Sequence, residues 1–308
     1  MKKTIDKSLS ISIITGFLGS GKTSFLNHYI KGLLKNNEKP AIIVNEFGDF
    51  NVDGHLVNGD IETATILNGC VCCELNQDLV QQLNIFNKRG DIDHIIIEAT
   101  GIAEPLEIIA ACQDPSIVND IEQPFVITLI DALRYVKRDQ YTSSVNGLME
   151  RQIKYGDLLL VNKMDLITEQ DQEALQNIKQ LNPTAHYIET TYGQISDTEW
   201  SQTQDHAQLS HTHHHSHHSV NSMKYTFTGP IQRQLFNQFI LRLPENVLRL
   251  KGFVSFKDQP ETVYTFQFSG LFPEYEVIDA DVPLTVVLIG EQLDEDRLRN
   301  QLDMLQFT

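Results

Sequence analysis

Gly16-Phe17-Leu18-Gly19-Ser20-Gly21-Lys22-Thr23 is the stretch on which the fold of this chain turns. It matches G-x-x-x-x-G-K-[ST] at every fixed position. Gly16, Gly19 and Gly21 let the backbone curl with its N–H groups inward, a concavity suited to a phosphate chain. Lys22 can reach the outer phosphates and Thr23 offers a hydroxyl to Mg²⁺, with Ser20 and Ser24 completing the cradle. The flanks set this loop apart from an ordinary glycine-rich turn. Upstream, Leu9–Thr15 is a β-rich apolar run of strand length. Downstream, Phe25, Leu26, Tyr29, Ile30, Leu33 and Leu34 recur at helical spacing. Strand, loop and helix in that order bring phosphates to a helix N-terminus.

Further apolar strands end in chemistry. Asp93–Glu98 runs into Ala99-Thr100-Gly101. An acid at the end of such a strand occupies the Walker-B position and supports Mg²⁺, and the Gly101 N–H can face a γ-phosphate. Pro124–Ile130 ends at Asp131. Leu158–Val161 leads into Asn162-Lys163-Met164-Asp165. In N-K-x-D the Asp165 carboxylate accepts from guanine N1–H and N2–H₂, donors that adenine does not present there. Lys163 can lie along the base. Thr168 caps a helix through Leu181, and strand His186–Glu189 enters Thr190–Gly193, where a guanine-contacting loop is expected.

Acids and thiols interrupt this pattern. After strand Pro40–Val44 come Glu46, Asp49 and Asp53, candidates for Mg²⁺, water or another metal. Thr65–Leu67 reads as a strand leading to Asn68-Gly69-Cys70-Val71-Cys72-Cys73, and helical periodicity resumes at Leu75. Thiolates at a strand-to-helix turn suit Zn²⁺ or Cu⁺. A closed zinc site takes four ligands, so Cys70, Cys72 and Cys73 leave a place for Glu46, a histidine or water. Cys112 sits in an apolar helical stretch and reads as core.

The chain has 308 residues, suggesting about two domains. A net charge of −17 disfavours nucleic acid or an anionic membrane as partner. No apolar run reaches the roughly 20 residues of a bilayer span. Met1-Lys2-Lys3 before an apolar run faintly resembles a secretory signal, but that run feeds the phosphate loop, so the cytoplasm is the expected address. Residues 201–222 are polar and histidine-rich, with His211, His213, His214, His215, His217 and His218 suited to loose zinc capture. The expected organisation is a phosphate-loop domain over 1–200, a flexible linker over 201–222 and a smaller α+β domain over 223–308.

Together these motifs resemble the CobW-like metallochaperone GTPases, particularly their zinc-handling branch. The resemblance rests on Gly16–Thr23, Asn45-Glu46-Phe47-Gly48, Gly69–Cys73 and Glu98–Gly101, then on Asn162–Asp165, the histidine tract and Arg249-Leu250-Lys251-Gly252. It implies an α/β, doubly wound, mostly parallel GTPase domain and a smaller C-terminal α+β domain. It implies GTP hydrolysis with Mg²⁺, coupled to Zn²⁺ transfer to a client protein docked partly through the C-terminal domain. A homodimer stays open. Lys22, Glu46, Asp53 and Glu98 are then the catalytic candidates. Asp49 stands where the family often has Glu, and Ala99 where Thr or Cys is frequent, which bears on the acid that places Mg²⁺ or the attacking water. Insertion of nickel, cobalt or iron is the rival reading, as is a zinc buffer or regulatory GTPase without transfer.

Overall fold

Apolar strands alternating with amphipathic helices cannot bury both faces except as layers, and the chain folds accordingly. The computed structural model describes residues 9–44, 62–65, 72–196, 198–200, 220–270 and 272–307. The chain divides into two units, Met1–Cys112 with Asp120–Ser219, and Gln113–Asn119 with Val220–Thr308.

In the first unit the elements run β1 (Ser10–Thr15), α1 (Lys22–Lys35), β2 (Pro40–Val44), β3 (Glu62–Thr65), α2 (Cys72–Arg89), β4 (His94–Glu98) and α3 (Pro105–Cys112). They continue as β5 (Phe125–Asp131), α4 (Ala132–Val136), α5 (Ser143–Lys154), β6 (Leu158–Asn162), α6 (Gln172–Leu181) and β7 (His186–Glu189). The strands form one parallel sheet in the order β3-β2-β4-β1-β5-β6-β7. The order reverses at β1, so the crevice outside its carboxyl end is where a doubly wound sheet binds ligand. Register lines that edge up: Val44 pairs with both Thr65 and Glu98, Ile14 with Glu98, and Asp131 with Asn162.

Helices on both faces explain why β1, β2, β4, β5 and β6 are buried along almost their whole length, with runs of Ile, Val and Leu in β4, β5 and β6. Phe25, Leu26, Tyr29, Ile30 and Leu33 of α1 are buried, as their spacing requires. One polar relay crosses this core. Ser12 Oγ lies 2.7 Å from Tyr29 Oη and 2.9 Å from His94 Nε2, and His94 Nδ1 lies 3.6 Å from Glu38. Burial pushes the Tyr29 phenol well above its ordinary range, so the relay stays protonated there and ties α1 to β1 and β4. Cys112 is fully buried among apolar neighbours with its thiol likewise pushed up, in keeping with a packing role.

The second unit is an antiparallel sheet in the order β11-β10-β9-β12-β8, from β8 (Asn221–Phe227), β9 (Val247–Phe256), β10 (Gln259–Phe268), β11 (Glu274–Ile278) and β12 (Leu284–Gly290). Helices α7 (Arg233–Leu241) and α8 (Glu295–Phe307) supply Phe236, Phe239, Ile240, Leu298, Leu302 and Leu305 to its core. Arg249–Gly252 belongs to β9 and its parts do different work. Leu250 is core, Lys251 pairs with Asp114, and Gly252 lies against β12. A Cβ at Gly252 would sit 2.4 Å from the Thr285 carbonyl oxygen and 2.6 Å from Val286 Cα. Gly252→Val should therefore cost about 2 kcal/mol or more through overpacking, read as a lower denaturant midpoint for this unit. An unchanged midpoint would show that the strands can separate there freely.

β11 is absent from the sequence-based expectation: it is a five-residue edge strand with no buried residue, and Glu274-Tyr275-Glu276-Val277 alternates over four positions only.

Candidate functional site

The phosphate loop takes its shape from its glycines. Gly21 ends the loop and caps α1 at φ +102°, a left-handed conformation that glycine adopts without strain. No side chain caps this helix and no acidic residue occupies its first turn, so its positive end is left for an anion. Ser20 N donates to Phe17 O at 3.1 Å, and Lys22 Nζ donates to Gly16 O at 2.9 Å, which holds the ammonium at the loop.

Glu98, at the end of β4, accepts from Thr23 Oγ1 at 3.1 Å. A hydroxyl and a carboxylate within one hydrogen bond are hard oxygen donors of the kind Mg²⁺ selects. Asn162, at the end of β6, is buried and joins two loops: its Nδ2 donates to Ser20 O at 2.8 Å and its Oδ1 accepts from Gly193 N at 3.0 Å. Lys163 has φ +65° and donates to Asp131 Oδ2 at 2.6 Å. Asp165 follows in a tight turn with its side chain exposed. Tyr192, next to Gly193, is 72 % exposed at φ +56° and presents an aromatic face to solvent. The structure thus brings Gly16–Thr23, Glu98 and the Asn162–Asp165 loop to one edge of the sheet.

Glu46, Asp49, Asp53, Cys70 and His211–His218 lie outside the described residues. Cys72 and Cys73 open α2, their side chains not among those described. Among the described residues no three His, Cys, Asp or Glu side chains gather to hold a metal.

Residues 10–189 match the family model described as CobW/HypB/UreG, nucleotide-binding domain, and residues 220–306 match the cobalamin synthesis protein cobW C-terminal domain. The chain belongs to the CobW/HypB/UreG family. It is 28 % identical to a zinc chaperone CobW of Pseudomonas aeruginosa, over 97 % of this chain and 92 % of that one. It is 32 % identical to a zinc-regulated GTPase metalloprotein activator 1 of Schizosaccharomyces pombe, over 61 % of this chain and 47 % of that one. Among solved structures, the Zn(II)-bound YjiA GTPase from E. coli aligns with a TM-score of 0.50 at 22 % identity, covering 97 % of this chain and 99 % of that chain, a likeness of fold. In this chain no helix among the described residues is long and apolar enough to cross a membrane.

Sequence reasoning missed the residues that support this family site from α5. Gln152, buried, donates from Nε2 to the carbonyls of Gly101 at 3.4 Å and Ala103 at 3.3 Å. Arg151 beside it grips Glu104 through two bonds of 2.6 and 2.9 Å, which raise its already high pKa. Both hold the segment that follows Glu98, and no motif names them because their partners are backbone or distant in sequence. Gln152→Leu should cost about 1 kcal/mol of stability and speed amide hydrogen exchange over residues 99–104. Unaltered exchange in that segment would mean it is held by other contacts.

Proposed function

We propose that this protein hydrolyses GTP and uses the cycle to bind Zn²⁺ at Cys70, Cys72 and Cys73 and release it to a client metalloprotein. The observation that carries the reading is the register at the carboxyl edge. Val44 pairs with both Glu98 and Thr65. The chain therefore leaves toward Glu46 from Val44, which lies beside the acid that meets Thr23, and toward Cys70 from Thr65, one strand further out. In this reading a change that nucleotide makes at Glu98 passes through β2 and β3 to the cysteine-bearing segment.

In the reaction, water's oxygen bonds to the γ-phosphorus as the bond to the β–γ bridging oxygen breaks. The electron pair stays on GDP, and water's proton leaves with the phosphate. Lys22 and the loop amides neutralise charge on the transferred group. Thr23 and Glu98 would hold Mg²⁺, which supplies positive charge at the phosphate oxygens. Glu46 or Asp53 orients the water. Asn162 fixes the phosphate loop against the base-reading loop, Lys163 flanks the base and Asp165 reads guanine. Gly101 offers its N–H to the γ-phosphate, with Gln152 holding the other side of that turn. Zinc is cargo: three thiolates favour it, and Glu46 would complete the shell. His211, His213, His214, His215, His217 and His218 collect zinc loosely, and the C-terminal unit contributes to client docking. The reaction needs no membrane and no nucleic acid.

If nucleotide and metal are coupled, each strengthens the other's binding by the same factor. Zn²⁺ affinity, measured by chelator competition in a variant with the tract histidines replaced by serine, should differ at least tenfold between GDP and a non-hydrolysable GTP analogue. Equal affinities in the two states and without nucleotide would sink the coupled reading. Cys72→Ser should abolish the difference; if it persists, the zinc site lies elsewhere.

A further inference from the structure

We propose that Arg134, on α4 immediately after β5, is a phosphate-contacting residue of the nucleotide site. The inference rests on the proposed use of guanine nucleotide and adds to it a cation that no motif announces. The Arg134 guanidinium lies 5.2 Å from the ring centroid of Phe17, inside the phosphate loop, and 5.8 Å from that of Tyr141. A Cβ built on Gly19 would stand 3.7 Å from Arg134 Nη2. The side chain is thus stacked against the loop itself, with its planar fork beside the glycine that follows Leu18.

Among the described residues the fork has no acceptor. Among the described residues, the guanidinium of Arg151 is taken by Glu104, that of Arg233 by Asp258, and that of Arg138 by the Tyr135 carbonyl. The Arg134 backbone N–H donates to Asp131 Oδ1 at 3.0 Å, and its guanidinium has no hydrogen-bond partner among the described residues. The other Asp131 oxygen is taken by Lys163. The cavity behind the side chain, lined by Phe17, Asp131, Arg134 and Gln152, encloses about 20 Å³, room for a water and no more. The acceptor must come from the open side, where Gly19 is exposed. A guanidinium fork placed within 6 Å of two aromatic rings is restrained beside the loop, where it can meet oxygens of a phosphate chain.

The test compares ligands with and without phosphates. Arg134→Ala should weaken GDP binding about tenfold, read by displacement of a fluorescent GDP, while leaving guanosine binding as in the unchanged protein. Arg134→Lys should recover part of the loss, and free guanidinium ion should restore GDP–aluminium fluoride assembly to Arg134→Ala. GDP affinity equal to that of the unchanged protein would overturn the proposal. So would an equal weakening of GDP and guanosine, since that marks a packing role. The readouts need no turnover: a protein that binds GDP in this Arg134-dependent way yet never hydrolyses GTP would refute the hydrolytic reading and leave this one standing. Should Arg134→Ala melt early, the lysine variant carries the same comparison.

Discussion

Replacing Asp165 by asparagine is expected to weaken GTP binding about a hundredfold and to move the preference toward xanthosine triphosphate. Donors and acceptors on the base edge decide the outcome. Guanine offers N1–H and N2–H₂ on one edge, and a carboxylate accepts both. An asparagine keeps one acceptor and turns the other into a donor, which then faces a donor. Xanthine carries a carbonyl where guanine carries the amine, so the new N–H finds a partner. A mispaired charged contact costs about 2–3 kcal/mol, which at 1.4 kcal/mol per decade is near two orders of magnitude.

The structure supports the choice of this variant over its neighbours. Asp165 is exposed in its turn and its carboxylate has no hydrogen bond among the described residues, whereas Lys163 is tied to Asp131 and Asn162 to Ser20 and Gly193. Loss of affinity in Asp165→Asn will therefore report on the base and not on a loosened loop. The check is competitive displacement of a fluorescent GDP by GTP, ATP and xanthosine triphosphate, with thermal melting run alongside. A variant that still ranks GTP first by the same margin would remove Asp165 from the base-reading role.

Motifs with fixed local spacing were legible because the backbone that needs them is local. The phosphate loop needs glycines at set distances, and Gly21 indeed takes φ +102°. The apolar runs told of buried parallel strands for the same reason: a strand covered on both faces has no polar period. What stayed illegible depends on pairs distant in the chain. Arg134 meets Phe17, Gln152 meets Gly101, and Lys251 meets Asp114 across 137 positions. Nothing in the spelling of α5 or β9 marks such partners. The strand expected at Thr65–Leu67 meets β3, Glu62–Thr65, at Thr65, while Ile66 and Leu67 lie outside the described residues.

The second large effect is expected at Gly21. Gly21→Ala should reduce nucleotide binding by more than a hundredfold while the chain still folds. Two costs fall on one atom. A Cβ at φ +102° meets its own backbone, a strain of about 1–2 kcal/mol for a non-glycine residue. The same Cβ would lie 2.4 Å from Asn162 Nδ2. Asn162 cannot swing aside cheaply, because it is buried and that nitrogen donates to Ser20 O while its oxygen holds Gly193 N. Relief comes from moving the loop, which unseats the N–H groups that face the phosphates, or from breaking the link to the base-reading loop. Either outcome strikes nucleotide more than fold. Gly90→Ala separates strain from collision: Gly90 also has φ +66°, yet a Cβ there meets nothing within 4 Å. It should lower the melting temperature by a few degrees and leave GDP affinity intact. If Gly21→Ala binds GDP as Gly90→Ala does, the loop accommodates a side chain, and the tight junction of Gly21, Asn162 and Gly193 is not what shapes the phosphate site.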